Sequence, residues 1–205
     1  MSRTVRTVTA DGSAAGGSTG LTTAEVNTLI QAKNDWEYLG KDELTGQVST
    51  WRITEGIDND TYNEYKFVFE RVRPSSSGYY NMSIRNTSGT RMNIRGLSHG
   101  LNTSYAYSQS NGNDIYYLYA STSGIDSSSR MKWEIEIGLQ GDSFIQGYTR
   151  STLSQNAGYW QHITNGGFLI ETGSNQNAAD HFAEIEVPFT INSGVCYVYG
   201  RRIRS

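Results

Sequence analysis

The sequence predicts an all-β protein, an antiparallel two-sheet β-sandwich preceded by an extended N-terminal arm and one short N-terminal helix. Three observations lead there. Apolar residues recur at every second position over many short stretches, the period of a strand with one face in a core. The 14 Tyr and 4 Trp suit a pleated surface better than a helix. The 22 Gly, with abundant Ser, Thr and Asn, supply turns between those stretches, and 205 residues suffice for one sandwich core plus appendages.

Residues 1–20 read as an arm. Val5 and Val8 alternate with Arg and Thr, too little to hold a core, and residues 11–20 are Gly/Ser/Ala low complexity of linker type. Twenty extended residues reach roughly 70 Å, enough to dock well beyond their own domain. Residues 21–34 carry the one convincing helix: Thr22 or Thr23 caps it, Glu25 meets the positive end of the dipole, and Leu21, Val26, Leu29 and Ile30 gather on one side. So short a helix is marginal in water unless that stripe is covered, and the expected cover is the same helix in other copies of the chain.

The β body occupies residues 35–205. Trp36, Tyr38 and Leu39 open a first strand, residues 41–46 turn, and Val48, Trp51 and Ile53 form a second. Tyr65, Phe67 and Phe69 alternate with Lys66, Val68 and Glu70 as far as Pro74. Tyr80, Met82 and Ile84 follow, then Met92 and Ile94, Tyr105 and Tyr107, and Ile115, Tyr117 and Tyr119. Trp133, Ile135 and Ile137 alternate with Lys132, Glu134 and Glu136. Residues 144–150 make a strand, residues 151–166 a long excursion, residues 168–170 a short apolar strand and residues 175–180 a polar turn. The last stretch, residues 183–200, is expected to be a β-hairpin: Ala183, Ile185, Val187, Phe189 and Ile191 alternate with polar residues, Asn192-Ser193-Gly194 turns, and Val195, Tyr197 and Tyr199 resume. About ten short strands without a fixed repeat describe a jelly-roll-like sandwich rather than a β-helix or propeller.

Several of these stretches resemble a known group. Trp-Glu-Tyr-Leu-Gly at residues 36–40, residues 65–72 leading to Pro74, residues 80–85 with their Gly turn, residues 133–139, and the closing Ser193-Gly194 to Tyr199-Gly200 resemble the β-sandwich modules of tailed-bacteriophage virion proteins. The segment LTTAEVNTLI at residues 21–30 resembles the short helix that introduces such modules in phage appendage proteins. The resemblance spans residues 21–200 and departs at the basic residues after Gly200 and in the long Ser/Asn loops. It implies a non-enzymatic structural protein of the virion, in capsid decoration, a head fibre or a tail appendage, made in the host cytoplasm and commonly homotrimeric. Assembly would then rest on Arg3, Val5, Arg6 and Val8 of the arm, docked on other virion proteins, and on Leu21, Val26, Leu29 and Ile30 of the helix. The alternative is a receptor-recognition module of a tail fibre, with Tyr105, Tyr107 and Trp160 offering aromatic faces to a host surface glycan.

Charge is uneven. The formal net charge is −3, yet the first ten residues carry +2 and the last five +3, leaving −8 for residues 11–200. Basic ends on an acidic body suit docking to acidic neighbours; the acidic body argues against nucleic acid, and no stacking motif accompanies the arginines. The single cysteine, Cys196, excludes an internal disulfide and suits a reducing compartment; no stretch has the apolar length of a membrane span or the build of a signal peptide. Three Asn-X-Ser triplets, at Asn81, Asn86 and Asn102, are what a Ser/Asn-rich chain yields by chance.

Chemical candidates are few, and no cofactor or metal is expected. Glu134 and Glu136 are two apart on one strand face, as are the carboxylates of laminarinase-type jelly-roll glycosidases, but Leu139 stands where the third acid of that pattern belongs. Asp58, Asp60 and Glu64 lack the glycine and the spacing of a calcium loop. His99, His162 and His181 have no metal-ligand spacing, and no Gly-X-Ser-X-Gly elbow accompanies the many serines.

Overall fold

The computed structural model describes residues 36–76, 80–101, 106–111, 116–119, 130–140, 144–154, 161–171 and 182–202. The chain divides into two compact units, Met1–Glu37 and Tyr38–Ser205. The arm of residues 1–20 and the helix of residues 21–34 lie outside the described residues. Those described form twelve strands: β1 (Glu37–Leu44), β2 (Trp51–Ile53), β3 (Glu64–Pro74), β4 (Tyr80–Arg85), β5 (Ile94–Leu101), β6 (Ala106–Asn111), β7 (Tyr116–Tyr119), β8 (Arg130–Gln140), β9 (Phe144–Ser154), β10 (Gln161–Glu171), β11 (Glu184–Val187) and β12 (Ile191–Arg201).

They build two antiparallel sheets, a wide one in the order β1-β12-β3-β8-β9-β10-β5-β6 and a narrow one in the order β2-β11-β4-β7. Setting β5, β6, β9 and β10 aside leaves eight strands that pair first with last, β1 with β12, then β2 with β11, β3 with β8 and β4 with β7. Such nested pairing is the jelly roll, two Greek keys folded into one sandwich. The β5-β6 pair is inserted between the fourth and fifth of those strands, and the β9-β10 pair between the sixth and seventh. Both insertions extend the same sheet beyond β8, doubling its width.

Alternation explains why the layers close. On β3 and β8, Tyr65, Phe67, Phe69, Trp133, Ile135 and Ile137 all turn inward and are at most 1% exposed. Facing them are Trp51, Phe182 and Phe189, with ring centroids 5.3 Å apart for Trp51 and Phe69, 6.1 Å for Phe67 and Phe182, and 5.7 Å for Trp133 and Phe189. Edge-to-face packing of this kind adds to the roughly 1.5–3 kcal/mol that burying each large apolar side chain contributes.

Alternation is interrupted once on β3. Phe69 faces Trp133 and Val72 faces Met131, so β3 takes three residues where β8 takes two, and Arg71 sits in the bulge with φ of 54°. The extra residue switches the inward set from Tyr65, Phe67 and Phe69 to Val72 and Pro74. Because an L-residue with a Cβ is strained in the left-handed region, Arg71→Gly is expected to raise stability by about 1 kcal/mol in urea denaturation; a loss would mean that the arginine side chain outweighs its own strain.

A second local device ties the loop before β3 to the body. The Asp58 amide donates to Tyr65 Oη at 3.0 Å, Tyr65 Oη donates to Asn59 Oδ1 at 2.9 Å, and Asn59 Nδ2 donates to the Phe182 carbonyl at 2.6 Å. Burial pushes the Tyr65 phenol far above its ordinary range, so it stays a neutral donor. Tyr65→Phe would strand two polar groups, and the expected loss is about 1–3 kcal/mol by chemical denaturation. Unchanged stability would show that the loop is held by something else.

The structure corrects several expectations. The closing stretch is not a hairpin: β11 lies between β2 and β4 in the narrow sheet and β12 between β1 and β3 in the wide one, the chain crossing between layers at residues 188–190. Asn192, Ser193 and Gly194 belong to β12, where the register against β3 shifts twice, between Ile191 and Ser193 and between Ser193 and Val195. Gly194 serves close approach rather than a turn, since a Cβ there would stand 3.1 Å from Trp51 Cζ3 and 3.2 Å from Val72 Cγ2. Residues 41–44 continue β1 instead of turning. The expected excursion over residues 151–166 is largely strand, because β9 runs on to Ser154 and β10 begins at Gln161, residues 168–170 being its end. Met92 precedes β5 and bonds its amide to the Ile84 carbonyl at 2.8 Å.

Candidate functional site on the outer face of the wide sheet

With Met131, Trp133, Ile135, Ile137 and Leu139 of β8 in the core, Lys132, Glu134 and Glu136 are placed outward by parity alone. They form a ladder with the neighbouring strand. Lys66 Nζ stands 3.7 Å from Glu134 and 3.0 Å from Glu136; Lys132 Nζ stands 3.1 Å from Glu70 and 3.5 Å from Glu134. The Glu70 hydrogen bond holds the Lys132 ammonium above the ordinary lysine range, so it is a fixed cation at neutral pH. Leu139, at the place of a third acid, faces the core. The two carboxylates thus belong to an ion-pair ladder.

Beyond the ladder the face changes character. On β9 the residues Ile145, Thr149 and Ser151 point inward, leaving Phe144, Gln146, Tyr148, Arg150 and Thr152 outside; Asn165, Gly167 and Leu169 of β10 and Arg95 and Leu97 of β5 are outside as well. Among the described residues, four of the five exposed large apolar side chains collect here: Leu97 at 42%, Phe144 at 42%, Tyr148 at 49% and Leu169 at 43% exposed. Registers set them in rows, Tyr148 opposite Gly167 opposite Leu97, and Gln146 opposite Leu169 opposite Arg95. Gly167 leaves a shallow gap in the first row, for a Cβ there would meet only the Gly147 carbonyl oxygen at 3.7 Å. The Tyr148 hydroxyl donates to Asn165 Oδ1 at 3.2 Å, which fixes the ring.

Between ladder and platform lies an open hollow of about 280 Å³ lined by Lys132, Glu134, Arg150 and Thr152. Glu134 faces Arg150 in register and Lys132 faces Thr152. Glu134 is taken by Lys66 and Lys132, so the Arg150 guanidinium has no ion-pair or hydrogen-bond partner among the described residues.

The outer face of the narrow sheet carries a different cluster. Ile185 and Val187 of β11 enter the core, yet Glu186, pointing the other way, is only 1% exposed. Its carboxylate accepts hydrogen bonds from Arg85 and from Arg91, and Arg52 Nε lies 3.9 Å away. Burial alone would push the Glu186 carboxyl up, but the two guanidiniums outweigh it and hold the group below its ordinary value. Glu184, 3.4 Å from Arg52 and 3.5 Å from Arg85, goes the other way, burial exceeding the help from both arginines. This network cross-links β2, β11, β4 and the turn after β4.

Other sequence-derived candidates fall as follows. Arg3, Val5, Arg6, Val8, Leu21, Val26, Leu29, Ile30, Tyr105, Trp160 and His181 lie outside the described residues. Tyr107 is in β6 opposite Gly100, His99 in β5 and His162 in β10. Cys196 is fully buried, and burial raises its thiol well above the ordinary range. Of Asp58, Asp60 and Glu64, the Glu64 carboxylate pairs with Arg201, and the Asp58 backbone carbonyl closes a turn with the Tyr62 amide. Among the described residues no group of three His, Cys, Asp or Glu is placed to hold a metal, and no helix is long and apolar enough to cross a membrane. Tyr148, Arg150 and Asn165 were not legible as a site, because β9 and β10 carry apolar residues at both parities. The sequence matches no protein-family profile and no curated protein.

Proposed function

We propose that this chain is a structural protein of a tailed-bacteriophage particle, a capsid decoration, head fibre or tail appendage that self-assembles as a homotrimer and exposes its sandwich on the particle surface. The observation that carries the reading is the nested jelly-roll pairing with one sheet doubled in width, an architecture shared by viral capsid and lectin domains. Such a body offers broad faces for contact. In this reading the Gly/Ser/Ala-rich residues 11–20 and the apolar residues Leu21, Val26, Leu29 and Ile30 are the assembly segments.

Light scattering of the full chain, and of a chain starting at Asp35, tests the assembly part. A trimer that falls to monomer on truncation is expected. A monomer in both forms would overturn self-assembly through the arm and helix.

A further inference from the structure

The structure assigns a second property to the wide sheet: we propose that the hollow beside Tyr148 binds an acidic oligosaccharide, the sugar face resting on Tyr148 and a carboxylate on Arg150. This inference stands on the sheet face alone and does not depend on where the protein resides.

Four features converge. First, Tyr148 presents an exposed ring whose orientation is fixed by the bond to Asn165, and a fixed aromatic face matches the apolar face of a pyranose ring at little entropic cost. Second, Gly167 leaves a gap opposite Tyr148, and the hollow lined by Arg150 lies two residues further along the same outward face of β9; at about 280 Å³ it is just below the usual range of ligand sites and suits one sugar ring. Third, the polar groups are those that read hydroxyls in both directions: Asn165 and Gln146 amides, the Thr152 hydroxyl and the Glu134 carboxylate. Fourth, Lys132 is bonded to Glu70 and Glu134 is held by Lys66 and Lys132, which leaves the Arg150 guanidinium as the charge at the hollow without a protein partner among the described residues, in a chain whose body is otherwise acidic. A planar guanidinium left open in this way is complementary to a carboxylate, which it binds in a bidentate manner.

A second copy of the chain fits the face less well. Arg95, Gln146, Arg150 and Asn165 interleave with Leu97, Phe144, Tyr148 and Leu169, whereas the buried centre of a protein interface is depleted of charge. Tyr148, Arg150 and Asn165 also lie on β9 and β10, strands the eight-stranded jelly roll does not require for its closure.

Titration calorimetry of the full chain with 3′-sialyllactose and with trigalacturonate, against lactose and maltotriose as neutral controls, tests the assignment. At least one acidic probe is expected to bind, and neutral probes to bind about tenfold or more weakly, the factor that one lost charge-assisted hydrogen bond predicts. Arg150→Gln should remove the preference for the acidic probe, Tyr148→Ala should remove binding altogether, and Lys41→Gln, on the far strand β1, should change neither. Arg150 and Tyr148 are both exposed, so these variants retain the fold, checked by circular dichroism. Absence of binding by either acidic probe at millimolar concentration, equal binding of neutral and acidic probes, or acidic binding unaffected by Arg150→Gln would each overturn the proposal. So would concentration-dependent self-association abolished by Tyr148→Ala, which would give the face to a second copy.

Discussion

Glu186→Ala is expected to cost about 3–5 kcal/mol of folding stability, the loss that follows when one partner of a buried ion pair is removed and the other charges stay. Glu186 occupies the middle of β11, opposite Arg52 on β2 and opposite Ser83 on β4, and its side chain is the shared acceptor for Arg85 and Arg91. Without it, guanidiniums from three segments crowd against one another, with only Glu184 left to answer them. Urea denaturation reads the effect as a fall in midpoint at constant slope. Arg52→Ala is the internal contrast: Arg52 is 55% exposed and only skirts the network, so its loss should stay within about 1 kcal/mol. A Glu186→Ala loss no larger than that of Arg52→Ala would mean that the network is incidental.

The same residue gives the narrow sheet a pH dependence of definite sign. The folded-state pKa of Glu186 lies below its ordinary value of 4.5, so its contribution is complete above that value and is lost as pH falls through the lower, folded value. Glu184 has the opposite sign: its raised pKa gives a contribution present below the ordinary value and lost as pH rises through the folded one. The stability gap between the native chain and Glu186→Gln should therefore shrink as the pH is taken from neutral to below 4.5. A gap that widens on acidification would contradict the assignment.

Gly147→Val is expected to be the most damaging change in the inserted strands. A Cβ at Gly147 would fall 2.1 Å from Phe168 Cζ and 2.7 Å from the Glu136 carbonyl oxygen. Phe168, directly opposite on β10 and 5% exposed, covers the glycine with its ring on the core side. One contact is side chain and the other backbone, so rotation of Phe168 relieves only half of the clash. Overpacking at such a site costs about 1–3 kcal/mol for alanine and more for valine. A Gly147→Ala, Phe168→Leu double change should recover part of the loss, which a cycle would report as a coupling energy. By contrast Gly46→Ala, where a Cβ meets nothing within 4 Å, should stay within about 0.5 kcal/mol. Equal effects at Gly147 and Gly46 would place Phe168 elsewhere than over the glycine.

How far the sequence carried these conclusions differs from element to element. Which residues face the core was readable on β3 and β8, because Tyr65, Phe67 and Phe69, and Trp133, Ile135 and Ile137, are separated by charged or polar neighbours over most of their length. Which strand pairs with which was not. The alternation of Ala183 to Phe189 and Val195 to Tyr199 is the same whether the two strands are neighbours or lie in opposite layers, and a Ser-Gly pair in a double bulge reads like a turn. Strands with glycine-rich sequence were under-read for a related reason: Asn165, Gly166 and Gly167 look like loop residues, yet they complete β10 because Phe168 and its neighbours on β9 hold them in register. The outer-face site was the least legible. It arises from four strands separated by up to about seventy residues of chain, a distance that only pairing brings to zero. The Glu186 network shared that fate, since Arg52, Arg85, Arg91 and Glu186 look individually like ordinary surface charges.

Locating the protein on the particle tests the proposed virion role most directly. Phage particles purified by density gradient from lysed producing cells would be probed with antibody against this chain and gold-labelled for electron microscopy. The protein is expected to band with the particles, and intact particles to carry label at fixed positions on the head or tail. Protein remaining at the top of the gradient, free of particles, would contradict that role.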